Sequence, residues 1–176
     1  MGSENQVLMV LSNYNFNDDE YEYTRKVLDD NSIEVKIAAS DPGECTSVTG
    51  KNLDVDVSFT GVISDDFRAI IFIGGPGVDS IFANEDALSL AKKFFNENRV
   101  VAAICWAPVI LARAGILAHR KATVWSEAKT ELAKAGAIYT GDKVTVDGTL
   151  ITADGPDSAL DFGQTIVNML NSKGNQ

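Results

Sequence analysis

The sequence predicts an α/β domain in which helices cover both faces of a mostly parallel sheet. Three observations lead there. Strand-length apolar runs alternate with helical patterns along all 176 residues, the signature of βαβ units. The main runs, Val7-Leu8-Met9-Val10-Leu11, Ala69-Ile70-Ile71-Phe72-Ile73 and Val100-Val101-Ala102-Ala103-Ile104, are continuous, as in strands buried on both sides. The composition, 45% hydrophobic and 23% charged, is that of an ordinary globular chain, so residues 1–176 are expected to form one domain with a full core.

The elements follow in order. After the first strand, residues 17–30 carry helical spacing through Tyr21, Thr24, Val27 and Leu28. Residues 33–39 form a second strand, and 55–59 an edge strand or hairpin arm. The strand at 69–73 runs into Gly74-Gly75-Pro76-Gly77. Asn84 can cap a helix over 85–98. The strand at 100–104 stops at Cys105, and a short helix over 107–114 ends at Gly115. A short strand at 122–124 precedes a helix capped by Ser126 and reaching 135. Residues 143–146 and 149–152 flank Asp147-Gly148, a strong hairpin signal. A last amphipathic helix covers 158–170, and the tail at 173–176 is expected to be mobile. The loops at 12–16, 74–77 and 105–108 then meet beyond the carboxyl ends of the strands, where open α/β sheets bind ligands. The segment at 41–50, which holds Cys45, reads as a polar loop with no elbow around the thiol.

Composition excludes several functions. A net charge of −10 argues against nucleic-acid binding. No apolar run reaches the ~18 residues a membrane span needs. Residues 1–6 show no secretory pattern, which fits a reduced, cytoplasmic protein. Two cysteines make no disulfide framework, and with one histidine, His119, they make a poor zinc site. Neither a metal nor a cofactor is expected.

Cys105 stands between an apolar strand and a helix opening near Pro108. A thiol there feels free helix N–H groups and the positive end of the helix dipole, which lower its pKa. A strand–Cys–helix elbow also exposes the sulfur at the sheet edge. The alternative is a small buried hydrophobe. Gly74 to Gly77 are either a strand-to-loop turn or a source of N–H groups for an oxyanion beside Cys105. Glu20, three residues after Asn17, is either the partner of Asn17 in a capping box or an acid facing Cys105. Taken by itself, the capping box is the better reading.

Together these segments resemble the DJ-1/PfpI superfamily over nearly the whole chain. The residues carrying the resemblance are Ile71-Phe72-Ile73-Gly74-Gly75, Ala103-Ile104-Cys105-Trp106-Ala107-Pro108, the run from Ala114 through His119 to Thr123, and Val146-Asp147-Gly148-Thr149-Leu150-Ile151-Thr152. Phe16-Asn17-Asp18-Asp19-Glu20 is similar to the family's acidic segment. PfpI-like members are the nearest subgroup. The resemblance implies a flavodoxin-like three-layer sandwich, related to class I glutamine amidotransferases. It also implies a nucleophile at Cys105, an acidic partner at Glu20 and backbone donors at Gly75 and Trp106. Gly74, Asn17, Trp125 and Asp154 would line the pocket. A homodimer or larger homo-oligomer is the default by resemblance.

The departures bear on mechanism. PfpI-like members carry His after the cysteine, where this chain has Trp106; DJ-1-like members carry a His in the segment matching 123–126, where it has Trp125. The frequent Ser-Arg-Gly-Pro reads Ala153-Asp154-Gly155-Pro156, which replaces a cation with Asp154. Ala107 stands for a usual Gly, and Asn17 for a frequent second acid. His119 lies at the far end of the helix after Cys105, roughly 15 Å or more from the sulfur at about 1.5 Å per residue, too far for a base.

Three functions are compatible with these residues. The first is an enzyme in which a Cys105–Glu20 dyad acts on a small electrophile, an α-oxoaldehyde as in glyoxalases and deglycases or an isocyanide as in isocyanide hydratases. Peptidase chemistry fits least, because it lacks a strong acid for the leaving amine. The second is a cysteine redox sensor or stress-response protein whose partner is an oxidant. The third is a catalytically degenerate binding scaffold.

Overall fold

The computed structural model describes residues 5–174. The expectations for residues 1–4 and 175–176 lie outside that range. The chain opens with β1 (Gln6–Val10), β2 (Tyr14–Phe16), α1 (Asp18–Asp30), β3 (Glu34–Ala39), β4 (Glu44–Ser47), β5 (Asn52–Asp54) and β6 (Val57–Ser58). The middle holds β7 (Ala69–Phe72), α2 (Glu85–Asn96), β8 (Val100–Ile104), α3 (Pro108–Arg113), β9 (Lys121–Ala122), α4 (Lys129–Lys134) and β10 (Ile138–Tyr139). It closes with β11 (Val144–Asp147), β12 (Leu150–Ala153) and α5 (Ala159–Gly174).

Seven strands form the central sheet in the order β11-β12-β8-β7-β1-β3-β6. Only the hairpin arm β11 runs antiparallel. The period-two alternation of side chains sorts each continuous apolar strand between two cores. Leu8, Val10, Ile70, Phe72, Val101 and Ala103 face one side with Phe94 of α2 and Val109 of α3. Val7, Met9, Ala69, Ile71, Val100 and Ala102 face the other with Leu28 of α1 and with Phe162 and Ile166 of α5. The predicted α/β sandwich with helices on both faces is the observed architecture. After β3 and β6 the chain returns to place β7 on the opposite side of β1. This reversal opens a crevice at the carboxyl ends of β1, β7 and β8.

Four local expectations need correction. The segments at 12–16 and 41–50 are not wholly loop: β2, β4 and β5 form a separate three-stranded sheet. Cys45 accordingly lies in a strand and is buried, packed among core residues. Ser126 does not cap a helix; it sits inside a 3₁₀ turn, Ser126–Ala128, and Trp125 takes the cap position without a side-chain hydrogen bond. The last helix does not stop at 170, because no breaker follows Leu170 and the Lys173 ammonium donates to Asn98 O at 2.8 Å. Strand β9 is two residues long and pairs with β10 instead of joining the main sheet.

Helices α1 and α5 pack closely because Gly163 leaves room for Val27. A Cβ on Gly163 would lie 3.0 Å from Val27 Cβ. Gly163→Leu is therefore expected to lower stability by about 1–3 kcal/mol through overpacking, read as a lower urea midpoint at unchanged slope. A midpoint equal to wild type would contradict this packing.

Candidate active site

The crevice is assembled from the ends of β7 and β8 and the start of α1. Asn17 caps α1 by accepting from Glu20 N–H at 2.9 Å, as predicted. The Glu20 side chain does not return the bond, so the capping-box reading is corrected. The Asn17 N–H instead donates to Gly74 O at 3.0 Å. The Glu20 carboxylate turns under the sheet edge, where Oε2 accepts from Gly74 N–H at 2.8 Å. The main chain of Gly74 thus holds the first turn of α1 at two points. Glu20 is 0% exposed, and its Oε1 has no N–H or O–H partner. The polar group acting on it is the Cys105 thiol.

Glycine is required in this loop on steric grounds. A Cβ on Gly74 would sit 2.8 Å from Glu20 Oε2, 2.9 Å from Cys105 Cβ and 2.9 Å from Ile104 O. Gly75 adopts φ +119°, and a Cβ there would meet Asn17 N at 2.5 Å. The Gly75 N–H has no acceptor among the described residues.

Cys105 occupies the left-handed region at φ +64°, a strained position for a non-glycine residue that costs of order 1–3 kcal/mol. Its neighbours fix it there. The Cys105 N–H donates to Ala153 O at 2.9 Å, and its carbonyl accepts from Trp125 N–H at 2.8 Å. The Trp106 N–H reaches the sulfur. The sulfur-bearing residue is 7% exposed.

The electrostatics reverse one sequence expectation. The thiol is not lowered. Burial first, then the charge of Glu20, push it well above its ordinary value, and Asp154 adds to the effect. The Trp106 N–H opposes this and is outweighed. Helix α3 begins three residues further on and has six residues, too short a dipole to offset burial. Burial likewise pushes the Glu20 carboxyl up, from 4.5 to about 7, against the hydrogen bonds from Cys105 and Gly74. Cys45, buried with no acidic neighbour acting on it, rises to about 11.

A cavity of about 400 Å³ opens onto the pair, lined by Asn17, Glu20, Gly75, Pro76, Cys105, Trp106, Trp125 and Pro156. Every residue predicted for the site except Gly74 and Asp154 lines this space. Gly74 lies directly behind it, between Glu20 and Cys105. Asp154 accepts from the Ser158 hydroxyl at 2.6 Å and faces a neighbouring cavity of about 260 Å³ on the other side of Trp125. Pro76 and Pro156 were missed, although both stand inside motifs already singled out. His119 sits at φ +63° in a turn, its N–H given to Gly136 O at 2.9 Å, and is absent from the cavity wall. Among the described residues no cluster of three metal-ligating side chains occurs, and no helix is long and apolar enough to cross a membrane.

The raised Glu20 pKa has a stability consequence. A carboxyl whose folded pKa lies above its unfolded one stabilises the fold while protonated and loses that contribution as pH rises. The window runs from about 4.5 to about 7. Across it wild type should lose roughly 3 kcal/mol relative to Glu20→Gln, at about 1.4 kcal/mol per pKa unit. Thermal melts of both proteins from pH 4 to 8 measure this difference. Parallel curves would show that Glu20 titrates normally.

The family model described as DJ-1/PfpI matches residues 5–169. An uncharacterized protein of Methanocaldococcus jannaschii is 41% identical over 168 residues, covering 94% of this chain and 82% of the relative. A Pyrococcus horikoshii protein named a deglycase is 33% identical over 165 residues, covering 94% of this chain and 99% of its own. The crystal structure of a ThiJ/PfpI domain protein from Brachyspira murdochii superposes with a TM-score of 0.94 at 31% identity, over 97% of this chain and 99% of that one. By these likenesses in sequence and fold, the chain belongs to the DJ-1/PfpI family.

Proposed function

We propose that the protein converts small 2-oxoaldehydes to 2-hydroxycarboxylates, a glyoxalase- or deglycase-like reaction, with Cys105 as nucleophile and Glu20 as the proton carrier. The observation that carries this reading is the pairing itself. Cys105 and Glu20 are the two titratable groups lining the cavity, and Glu20 is poised near neutrality at about 7. The related proteins named deglycases add support.

The chemistry needs no histidine. Ionised Glu20 removes the thiol proton as sulfur bonds to the aldehyde carbon, which bypasses a free thiolate. The proton passes to the new oxyanion, giving a neutral hemithioacetal. The Gly75 and Trp106 N–H groups stabilise the oxyanion as it forms. Glu20 then takes the proton from the former aldehyde carbon, leaving its electron pair in an enediolate, and returns that proton to the former ketone carbon while the hydroxyl proton moves to the neighbouring oxygen. The first carbon is thereby oxidised and the second reduced, with no external redox partner. Water hydrolyses the resulting thioester and frees Cys105.

The redox-sensor reading has less support. A thiol 7% exposed and pushed upward by burial and a carboxylate is a slow reactant toward oxidants.

Methylglyoxal turnover to lactate tests the proposal. Cys105→Ser should fall to background, and Glu20→Gln should lose about 10²–10⁴-fold in kcat/KM, the usual contribution of an acid–base group. Wild-type kcat/KM should rise with pH through about 7 as Glu20 deprotonates. Wild-type turnover matched by Cys105→Ser would overturn the proposal, as would a complete lack of turnover.

A further inference from the structure

The walls of the cavity carry information beyond the reacting pair. Trp106 and Trp125 stand on either side of the Cys105 opening, and Pro76 and Pro156 complete the rim. Trp125 packs closely on Gly155: a Cβ there would meet its Cε3 and Cζ3 atoms at 2.9 Å. Trp125 is still 39% exposed and lines the cavity, so part of it is available to a ligand. The apolar surface continues past Trp106 into a cleft of about 230 Å³ containing Phe82.

Among the described residues, no lysine or arginine lines this cavity. Lys143 lies beyond Trp125. There it shares the neighbouring cavity with two carboxylates, Asp154 and Asp157. The cleft on the Trp106 side carries Asp79. Inside, the buried Glu20 is the sole charged group on the wall among the described residues. An anionic ligand would be desolvated against apolar walls, meet a carboxylate and find no counter-charge. A flat neutral ring would bury area against two indoles, with favourable offset or edge contacts.

We infer that the pocket selects neutral electrophiles bearing an apolar or aromatic substituent, seated between Trp106 and Trp125, and rejects anionic ones. As a statement about substrate class this rests on the 2-oxoaldehyde reading above. As a statement about binding it stands on the pocket alone.

The chain has two tryptophans, and both line this cavity, so tryptophan emission reports on this site and the clefts beside it. Titration of wild type at pH 8 with benzamide, benzoate and acetamide separates the contributions of ring and charge. Benzamide and benzoate share shape and differ in charge, and acetamide lacks the ring. Benzamide should give a saturable change, with benzoate and acetamide each weaker by about tenfold or more. Trp125→Ala should weaken benzamide by about tenfold, read from Trp106 emission, whereas Trp125→Phe should retain most of the affinity. Benzoate as tight as benzamide, acetamide as tight as benzamide, or no benzamide binding at all would each overturn the inference.

Turnover distinguishes the two proposals. Methylglyoxal conversion without any preference for phenylglyoxal in kcat/KM would remove the substrate selectivity and leave the reaction intact. Absence of any conversion, with the benzamide preference intact, would remove the reaction and leave the pocket's selectivity.

Discussion

A 2.8 Å hydrogen bond joins Gly74 N–H to Glu20 Oε2, and the geometry of the site depends on it. It places a carboxylate from the first helix beneath the end of a strand that arrives 54 residues later. The same glycine accepts from Asn17 N–H, so helix and loop are locked together through the main chain of one residue. No side chain fits at Gly74, because the space is already filled by Glu20, Cys105 and the Ile104 carbonyl. Carboxylate, thiol and main chain are brought together where a Cβ would force them apart.

Burial then sets the chemistry. Two acidic groups in contact and shielded from water cannot both be ionised at ordinary pH. Burial raises both groups, the Glu20 carboxylate raises Cys105 further while the thiol hydrogen bond lowers Glu20, and the carboxyl, the stronger acid, gives up its proton first, near neutrality. The thiol remains protonated until a substrate arrives. Such a pair suits an addition in which the proton leaves as the carbon–sulfur bond forms, and suits poorly a cysteine that must persist as a thiolate. The strain at φ +64° is borne by the clamps from Ala153 and Trp125, which direct the sulfur into the cavity.

The sheet was legible because its strands are buried on both faces, so Val7–Leu11, Ala69–Ile73 and Val100–Ile104 show as uninterrupted apolar runs. Cys105 was legible from its position between a strand and a proline-opened helix. The small sheet of β2, β4 and β5 was not, since Glu44–Ser47 is short and polar and reveals itself only by pairing. The orientation of Glu20 was hidden for a related reason. Asn17 satisfies the helix N-terminus by itself, and nothing local shows that the carboxylate is thereby free to turn toward Gly74. The direction of the Cys105 shift was also misread, because local sequence displays helix N–H groups and does not display burial or a distant carboxylate. The missing cavity-wall histidine was readable directly from the position of His119, and with it the need for another proton carrier.

The proposed proton transfer requires that one buried carboxyl, Glu20, ionise near neutrality and accept the proton that Cys105 gives up. Carbon-13 NMR of protein labelled at glutamate side-chain carboxyls tests it by following each resonance from pH 3 to 9. One glutamate should titrate near pH 7, be absent from Glu20→Gln and shift further upward in Cys105→Ala, which loses the thiol hydrogen bond that lowers it. Titration of every glutamate in the ordinary range near 4.3, with nothing moving near neutrality, would contradict it.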